Sequence, residues 1–251
     1  MIRLHGMRAV VTGGSRGIGA AVVQTLAQCG ADVLVGYRAR AEGAEAAASQ
    51  ARALGVRAES CGADLSTADG VRGLFARAME VLGGVDILVA NAGIWPSEDV
   101  PVERLDDARW LRTMRENVDA MFYCAREAAR VMGDGGRIVM ISSTAGQRGE
   151  AMHADYAASK GAMISFVKSL AVELAPRGIT VNSVAPGWVD TEMTADAMAA
   201  GGRERIAAGI PVGRVATPED IAFPVVCLCA PQARHVTGEI LNVNGGSVLC
   251  G

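Results

Sequence analysis

The chain has 251 residues, half of them apolar, with 24 basic and 27 acidic residues and a net charge of −3. This length allows one large α/β domain with a substantial core, and no second domain is expected. Well-mixed charge argues against nucleic acid or an anionic membrane as a partner, and no apolar run reaches the roughly 18 residues of a membrane span. Cysteines and histidines are scattered without metal-ligand spacing, so we expect buried thiols, no metal and a cytoplasmic protein without a signal peptide.

Apolar runs of strand length alternate with alanine-rich helical patterns. Strands are predicted at 9–12, 33–37, 57–61, 87–90, 137–142, 180–184 and 240–243. Helices are predicted at 17–29, 41–54, 67–82, 107–132, 156–175 and 218–230. Continuous apolar strands separated by helices indicate a parallel sheet covered on both faces. Residues 188–216 lack strong periodicity and are predicted to form a lid over a site.

The first predicted strand leads directly into a glycine-rich loop at 12–19, which a helix follows. Glycines let the backbone approach a pyrophosphate, which sits at the helix N-terminus where amides and the helix dipole favour anions. A dinucleotide site is therefore predicted at Gly13, Ser15, Arg16, Gly17, Ile18 and Gly19. A simple glycine-rich turn is the alternative. No Gly-Lys-Ser/Thr follows, which disfavours a P-loop.

The end of the second predicted strand indicates which dinucleotide binds. Tyr37 stands where a carboxylate usually binds the ribose hydroxyls of NAD, and Arg38 and Arg40 follow it. Guanidinium groups bind phosphate through paired, charge-assisted hydrogen bonds. We therefore predict NADP as cofactor, NADPH preferred over NADH, with Arg16 and Arg38 on the 2′-phosphate. The alternative is that Arg38 and Arg40 are solvated charges at a helix start.

Three later loops follow strand carboxyl ends, where open α/β sheets bind ligands. Asp64 is expected to accept a hydrogen bond from the adenine amino group, with Leu65 beside it. The other two loops are expected to contact the cofactor through Asn91, Ala92 and Gly93, and through Pro186, Gly187, Val189 and Thr191.

A tyrosine and a lysine one helical turn apart are candidates for proton transfer. Tyr156 and Lys160 share a helix face, and a nearby ammonium is expected to lower the tyrosine pKa. Ser143, at the end of a predicted strand, would hold a carbonyl or hydroxyl oxygen beside them. Otherwise Tyr156 is a core aromatic residue and Lys160 an exposed helix charge.

In this order the motifs, with Asn117 and the closing segment 238–246, resemble the short-chain dehydrogenase/reductase family over essentially the whole chain. The resemblance implies a single-domain, doubly wound Rossmann-type fold with a seven-stranded parallel sheet, usually in a homotetramer. It implies reversible hydride transfer between NAD(P) and an alcohol or carbonyl group. The family places its catalytic serine thirteen residues before the tyrosine, which selects Ser143 over Ser142. Its helix asparagine, here Asn117, is implied to hold a water through its backbone carbonyl; the alternative is a buried polar residue packed for structure.

Segments 15–19 and 178–182 are similar to 3-oxoacyl-acyl-carrier-protein reductases. The resemblance implies that such enzymes recognise their acidic carrier protein through basic residues near helix ends, and Arg177 matches one of these positions. The second place, in the connection 130–136, lacks a basic turn, so Arg130 and Arg137 are the candidate substitutes. We predict that Trp95, His153 and Trp188 form walls of the substrate pocket. The alternative is that they are packing residues.

Three functions stay open at this point. The first is NADPH-dependent reduction of a ketone or 3-oxoacyl thioester, carried by an acyl carrier protein or CoA, with Tyr156 as general acid. The second is NAD-linked oxidation of a sugar, cyclic alcohol or steroid. The third, a non-catalytic nucleotide-binding redox sensor, is disfavoured because Ser143, Tyr156 and Lys160 are all present.

Overall fold

The computed structural model describes residues 2–249. Met1, Cys250 and Gly251, at the limits of the predicted domain, lie outside the described residues. One sheet contains seven parallel strands: β1 (Arg8–Thr12), β2 (Asp32–Tyr37), β3 (Ala58–Gly62), β4 (Ile87–Ala90), β5 (Arg137–Ile141), β6 (Thr180–Pro186) and β7 (Ile240–Val243). Their order is β3-β2-β1-β4-β5-β6-β7. The winding reverses between β1 and β4, which places a ligand crevice above the carboxyl ends of these two strands.

Helices connect the strands and cover both faces of the sheet. They are α1 (Gly17–Gln28), α2 (Ala41–Ala53), α3 (Ala68–Leu82), α4 (Asp107–Met114), α5 (Ala120–Val131), α6 (Ala145–Arg148), α7 (Ala154–Leu174), α8 (Ala195–Met198), α9 (Gly202–Ala208) and α10 (Pro218–Cys229). One core joins α1, α2 and α10 to the sheet, and a second core joins α3, α5 and α7 to its other face. The predicted parallel α/β fold with seven strands is confirmed.

The alternation of side chains along β1 shows how the strands serve both cores. Ala9 and Val11 belong to the core under α1, whereas Val10 belongs to the core under α3. All three are fully buried, as expected for a parallel strand covered on both faces. This burial explains why the strands carry uninterrupted apolar runs rather than an alternating pattern. Within residues 2–249, no helix is long and apolar enough to cross a bilayer.

The predicted lid segment, residues 188–216, contains the two short helices α8 and α9. They have four and seven residues, too short to produce a periodic sequence signal. A small apolar cluster of Met198, Ile210 and Val215 packs with Trp188. A bridge between Val189 and Ala216 closes the base of the segment. That the segment acts as a lid stays a prediction.

Candidate active site

A groove runs along the carboxyl edge of the sheet above the crevice between β1 and β4. It comprises a larger cavity of about 280 Å³ and a smaller one of about 110 Å³. The two cavities share six lining residues and therefore form one continuous depression: Ile18, Asn91, Gly93, Ile94, Thr191 and Met193. This is the place at which open α/β sheets bind ligands.

The glycine loop forms one wall of the larger cavity. Gly13 and Gly17 adopt positive φ angles of 64° and 51°, which glycine tolerates without strain. A Cβ at Gly19 would lie 2.2 Å from the Gly13 carbonyl oxygen, so this position packs too closely for any side chain. Helix α1 starts at Gly17 without a side-chain cap, which leaves the helix N-terminus suited to an anion. The predicted loop residues that line the cavity are Gly13, Ser15, Arg16, Gly17 and Ile18.

Three arginines gather at the outer end of the larger cavity, and each is paired with a carboxylate. Arg16 donates to Oε2 of Glu192 at 2.7 Å, and Arg40 forms an ion pair with the same oxygen at 2.7 Å. Arg38 forms an ion pair with Oε2 of Glu116, also at 2.7 Å. All five side chains line this cavity, as does Tyr37. A cluster of three guanidinium groups and two carboxylates therefore lies where the adenosine ribose of a dinucleotide would sit in this fold.

Two loops complete the larger cavity. Asp64 accepts hydrogen bonds at Oδ1 from the backbone amide and hydroxyl of Ser66, at 3.0 and 2.7 Å, and these lower the pKa of its carboxyl group. Asn91 donates from Nδ2 to the carbonyl oxygens of Thr12 and Gly13, which ties β4 to the glycine loop. The predicted residues that line this part are Asp64, Leu65, Asn91, Ala92 and Gly93.

The smaller cavity brings together Ser143, Tyr156 and Lys160. The Tyr156 hydroxyl is hydrogen-bonded to Ser143. Lys160 Nζ lies 5.7 Å from the centroid of the tyrosine ring and donates to the Ile141 carbonyl oxygen at 2.8 Å. The predicted cofactor residues at this end of the groove are Pro186, Gly187, Val189 and Thr191.

The expected direction of the Tyr156 pKa is wrong for this structure. Burial raises the pKa of the phenol, and neighbouring Glu150 adds to this, which outweighs the hydrogen bond with Ser143. Burial also lowers the pKa of Lys160, to about 8, so the ammonium itself is destabilised in its pocket. The raised pKa keeps the phenol protonated at neutral pH and makes it a weaker acid than a free tyrosine.

The two adjacent serines at the end of β5 have different surroundings. Ser142 is buried, donating to the Val184 carbonyl oxygen at 3.2 Å and lying 2.7 Å from Ser183 Oγ. Ser143 is less buried and is the partner of Tyr156. Both line the smaller cavity, but the hydrogen bonds commit Ser142 to the sheet. Ser143 is therefore the serine placed beside the tyrosine.

Asn117 lies fully buried in a π-helical turn, Arg115–Asp119, which separates α4 from α5. A continuous helix was predicted here; π turns inside helices are frequent at functional sites because they disturb the regular backbone bonding. The Asn117 amide exchanges hydrogen bonds with the backbone of Ile94 and donates to Ser159 Oγ at 3.0 Å. Ser159 in turn donates to the Tyr156 carbonyl oxygen at 2.7 Å. Asn117 thus links the loop after β4 to the helix of the tyrosine.

The three predicted pocket-wall residues contact one another. The Trp95 and His153 rings stack with centroids 4.9 Å apart, and Trp95 meets Trp188 edge to face at 5.9 Å. His153 is buried, and none of the three lines either of the two cavities described above. The cluster joins the loop after β4, the turn before α7 and the start of the lid segment.

Several residues of the groove were not among those predicted from the sequence. They include Arg40, Ile94, Glu116, Ile141, Glu192, Met193 and Thr194. Only Arg40 carries a sequence signal, because it follows the second strand closely. Glu116 and Glu192 enter the groove through the π turn and the lid segment, whose shapes the sequence pattern does not specify.

The arginines considered for carrier-protein contact are engaged within the fold. Arg137 is buried and donates to the carbonyl oxygens of Gly135 and Gly136, so its candidate role in binding an outside partner is wrong. Arg177 donates to the carbonyl oxygens at 129 and 132 and forms an ion pair with Asp134. Arg130 pairs with Glu127 at 2.7 Å.

No group of three histidine, cysteine, aspartate or glutamate residues within 2–249 could hold a metal ion. Free thiols of this part of the chain are Cys29, Cys61, Cys124, Cys227 and Cys229. Burial raises the pKa of Cys124 and of Cys229 to about 12, so these two thiols stay protonated.

Comparison with known proteins shows similarity over the full length. The family model described as enoyl-(acyl carrier protein) reductase matches residues 13–247. The 3-oxoacyl-[acyl-carrier-protein] reductase of Vibrio cholerae is 38% identical over 250 residues, covering 99% of this chain and all of the relative. The L-rhamnose 1-dehydrogenase (NAD(P)(+)) of Azotobacter vinelandii is 38% identical, covering 94% of each chain.

A solved structure has the same fold. It is a short chain dehydrogenase from Burkholderia cenocepacia in complex with NADP, 40% identical, with a TM-score of 0.92. The match covers 98% of this chain and 99% of that one.

Proposed function

The chain belongs to the short-chain dehydrogenase/reductase family of NAD(P)-dependent oxidoreductases, and from this premise we propose that it is an NADPH-dependent reductase of a ketone or 3-oxoacyl thioester. The observation that carries the proposal is the groove itself. It has arginines at one end and the Ser143–Tyr156–Lys160 group at the other, joined by the glycine loop.

The groove residues fit a dinucleotide. An uncapped helix N-terminus suits the pyrophosphate, and the arginine cluster suits a 2′-phosphate. The close packing at Gly19 holds the loop backbone where a pyrophosphate would approach. The structure of the Burkholderia relative contains NADP, which agrees with this assignment. NADPH would supply the hydride, and the protein would supply position and electrostatics.

The protein residues then have separate roles. Ser143 would hold the substrate oxygen beside the Tyr156 hydroxyl, and Tyr156 would donate its proton to that oxygen as negative charge develops. Lys160, held by the Ile141 carbonyl, would bind the nicotinamide ribose and stabilise the phenolate left behind. Asn117 would fix the helix turn and hold the water that links Lys160 to solvent. General acid action of this kind contributes about 10²–10⁴ in rate.

The experiment is a set of initial rates with NADPH and with NADH, using an acetoacetyl thioester, a cyclic ketone and a simple ketone. NADPH-selective reduction of at least one of these carbonyl compounds is the expected result. No reduction of any of them by either nucleotide would contradict the proposal.

The second candidate is NAD-linked oxidation of a sugar, cyclic alcohol or steroid, and one relative favours its sugar form. It is the L-rhamnose 1-dehydrogenase of Azotobacter vinelandii, whose 38% identity to this chain equals that of the acyl-carrier-protein reductase. The internal bonds of Arg177 and Arg130 also weaken the case for carrier-protein binding. Nucleotide preference separates the two candidates: oxidation of L-rhamnose or cyclohexanol with NAD rather than NADP would favour this candidate, whereas NADP-selective turnover would favour the first.

We also propose a homotetramer in the cytoplasm. Helices α4 and α5 expose apolar side chains, with Leu111 64% and Phe122 39% exposed. Phe122 packs edge to face on Phe166 at 6.2 Å, which gives an aromatic surface suited to a second copy. Light scattering coupled to size exclusion should give a mass four times that of the chain; a monodisperse monomer would contradict the assembly.

A further inference from the structure

Glu192 is a charged residue of the groove that the proposed reaction does not use. It lies in the first residues of the lid segment, directly after Thr191. Its Oε2 atom accepts a hydrogen bond from Nη1 of Arg16 at 2.7 Å and forms an ion pair with Nη1 of Arg40, also at 2.7 Å. The hydrogen bond from Arg16 is the main cause that holds the pKa of this carboxyl group below its ordinary value, and the charge of Arg40 adds to it. The carboxylate is therefore ionised and shared by two guanidinium groups of the nucleotide cavity.

The same two guanidinium groups can bind a 2′-phosphate only if their ion pairs with Glu192 break. The three side chains line one cavity, and a carboxylate oxygen already stands at hydrogen-bond distance from both arginines. A phosphate brings about two negative charges, so it competes with the carboxylate for these donors and is also repelled by it. The ribose of NADH carries a neutral hydroxyl there, which neither needs both arginines nor repels the acid.

We infer that Glu192 is a cofactor-selectivity residue: it occupies the anion position between Arg16 and Arg40 and lowers the affinity for NADPH relative to NADH. The inference rests on the proposed function in one respect, that the groove binds the dinucleotide with its 2′-phosphate at these arginines. Arg38 differs, because it is held by Glu116, whose side chain is only 12% exposed and belongs to the π turn. The exchangeable partner is thus Glu192, half exposed and on the lid segment, rather than Glu116.

The test compares Glu192→Gln with the wild-type protein by titrating NADPH and NADH separately and following cofactor fluorescence, without substrate. Gln keeps the size of the side chain and removes its charge. Glu192 forms two exposed ion pairs, and each pair that no longer has to be broken accounts for a factor of roughly two to five. The NADPH dissociation constant should therefore fall about four- to 25-fold at low salt. The NADH constant should stay within about twofold. Near 1 M salt the gain should largely disappear, because exposed charges are then screened.

Asp190→Asn is the matched control. Asp190 lies two residues earlier in the same segment and pairs with Arg203 at 2.5 Å, but it lines neither cavity. The control removes the same charge and should leave both dissociation constants within about twofold of the wild type. An equal gain in NADPH affinity for Asp190→Asn would mean that net charge alone acts, and would overturn the inference.

A second variant separates competition from a general change in the lid segment. In an Arg40→Met background one of the two contested donors is gone, so Glu192→Gln should gain clearly less NADPH affinity than in the wild-type background. Unchanged or weaker NADPH binding by Glu192→Gln in the wild-type background would overturn the inference. That result is distinct from failure of the proposed function, which is an absence of carbonyl reduction and needs no affinity difference between variants. If neither protein bound NADPH, both would fall.

Discussion

Burial of Lys160 should cost the fold stability, so that Lys160→Met is more stable than the wild type at neutral pH although its turnover is lost. The lysine is 5% exposed, and its Nζ contacts are neutral, the Ile141 carbonyl oxygen at 2.8 Å and Met163 Sδ at 3.7 Å. With no carboxylate to compensate, burial lowers the lysine pKa from 10.5 to about 8.

The size of the effect follows from the two pKa values. A fall from 10.5 to about 8 corresponds to about 3 kcal/mol of unfavourable burial of the charged form. Below pH 8 the lysine is charged in both states and the folded protein bears this whole cost. As pH rises from 8 towards 10.5 the folded protein releases its proton while the unfolded chain keeps it, so the cost declines and wild-type stability rises. Methionine removes the charge but leaves the Ile141 carbonyl unpaired, which costs about 1–2 kcal/mol.

We therefore expect Lys160→Met to gain about 1–2 kcal/mol of unfolding free energy at pH 7, and about 2 kcal/mol less than that at pH 9.5. Urea unfolding of the nucleotide-free protein, followed by far-UV circular dichroism at one protein concentration, measures both values. Lys168→Met is the control: Lys168 is exposed on the same helix, and its variant should stay within about 0.5 kcal/mol of the wild type. The reasoning is refuted if the difference between Lys160→Met and the wild type does not change between the two pH values.

Three further predictions concern the site and its support. Ser143→Ala should lower turnover about 100-fold, whereas Ser142→Ala should change it less than about threefold, because only Ser143 meets the tyrosine; equal losses in steady-state assays would contradict this. Gly19→Ala should abolish nucleotide binding in fluorescence titrations, since its Cβ would lie 2.2 Å from a carbonyl oxygen, while Gly73→Ala, with open space around it, should bind normally. Asp155→Asn should lower the urea unfolding free energy by about 2–4 kcal/mol, because it leaves the guanidinium group of Arg109 without its buried counter-charge. A loss under about 1 kcal/mol would show that the Arg109–Asp155 pair contributes little.

The sheet was predictable because each strand carries its own signal. Buried parallel strands need uninterrupted apolar runs, which are visible in the sequence. The glycine loop directly follows the run of β1, and the loop of Asn91 directly follows the run of β4. Adjacent strands then bring Asn91 and the glycine loop into one groove, which explains why residues far apart in sequence line the same cavities.

Other features depend on contacts that no local pattern encodes. The π turn at Arg115–Asp119 carries a buried Asn117 amide bonded to Ile94 and Ser159, and a helical sequence pattern reveals neither the turn nor these bonds. The direction of the Tyr156 pKa depends on how deeply the phenol is buried, which the i and i+4 spacing with Lys160 cannot give. The spacing placed the two side chains on one face and left their solvation undetermined.

The arginine end of the groove shows the same limit. The sequence predicts Arg16 and Arg38 as the residues that bind a 2′-phosphate, but pairing with acids decides which guanidinium groups share an anion position. Glu192 joins Arg16 to Arg40, and Glu116 holds Arg38. Both acids come from segments distant in sequence, so their partners become visible only in the folded chain.

The measurement that tests the central claim most directly is the rate of NADPH oxidation with the best carbonyl substrate by the wild type and by Tyr156→Phe, with NADPH binding followed in the same samples. The account predicts that the variant binds NADPH as tightly as the wild type but loses at least about 100-fold in turnover, because the ring remains and the proton donor is gone. Turnover at the wild-type rate by Tyr156→Phe would contradict the account.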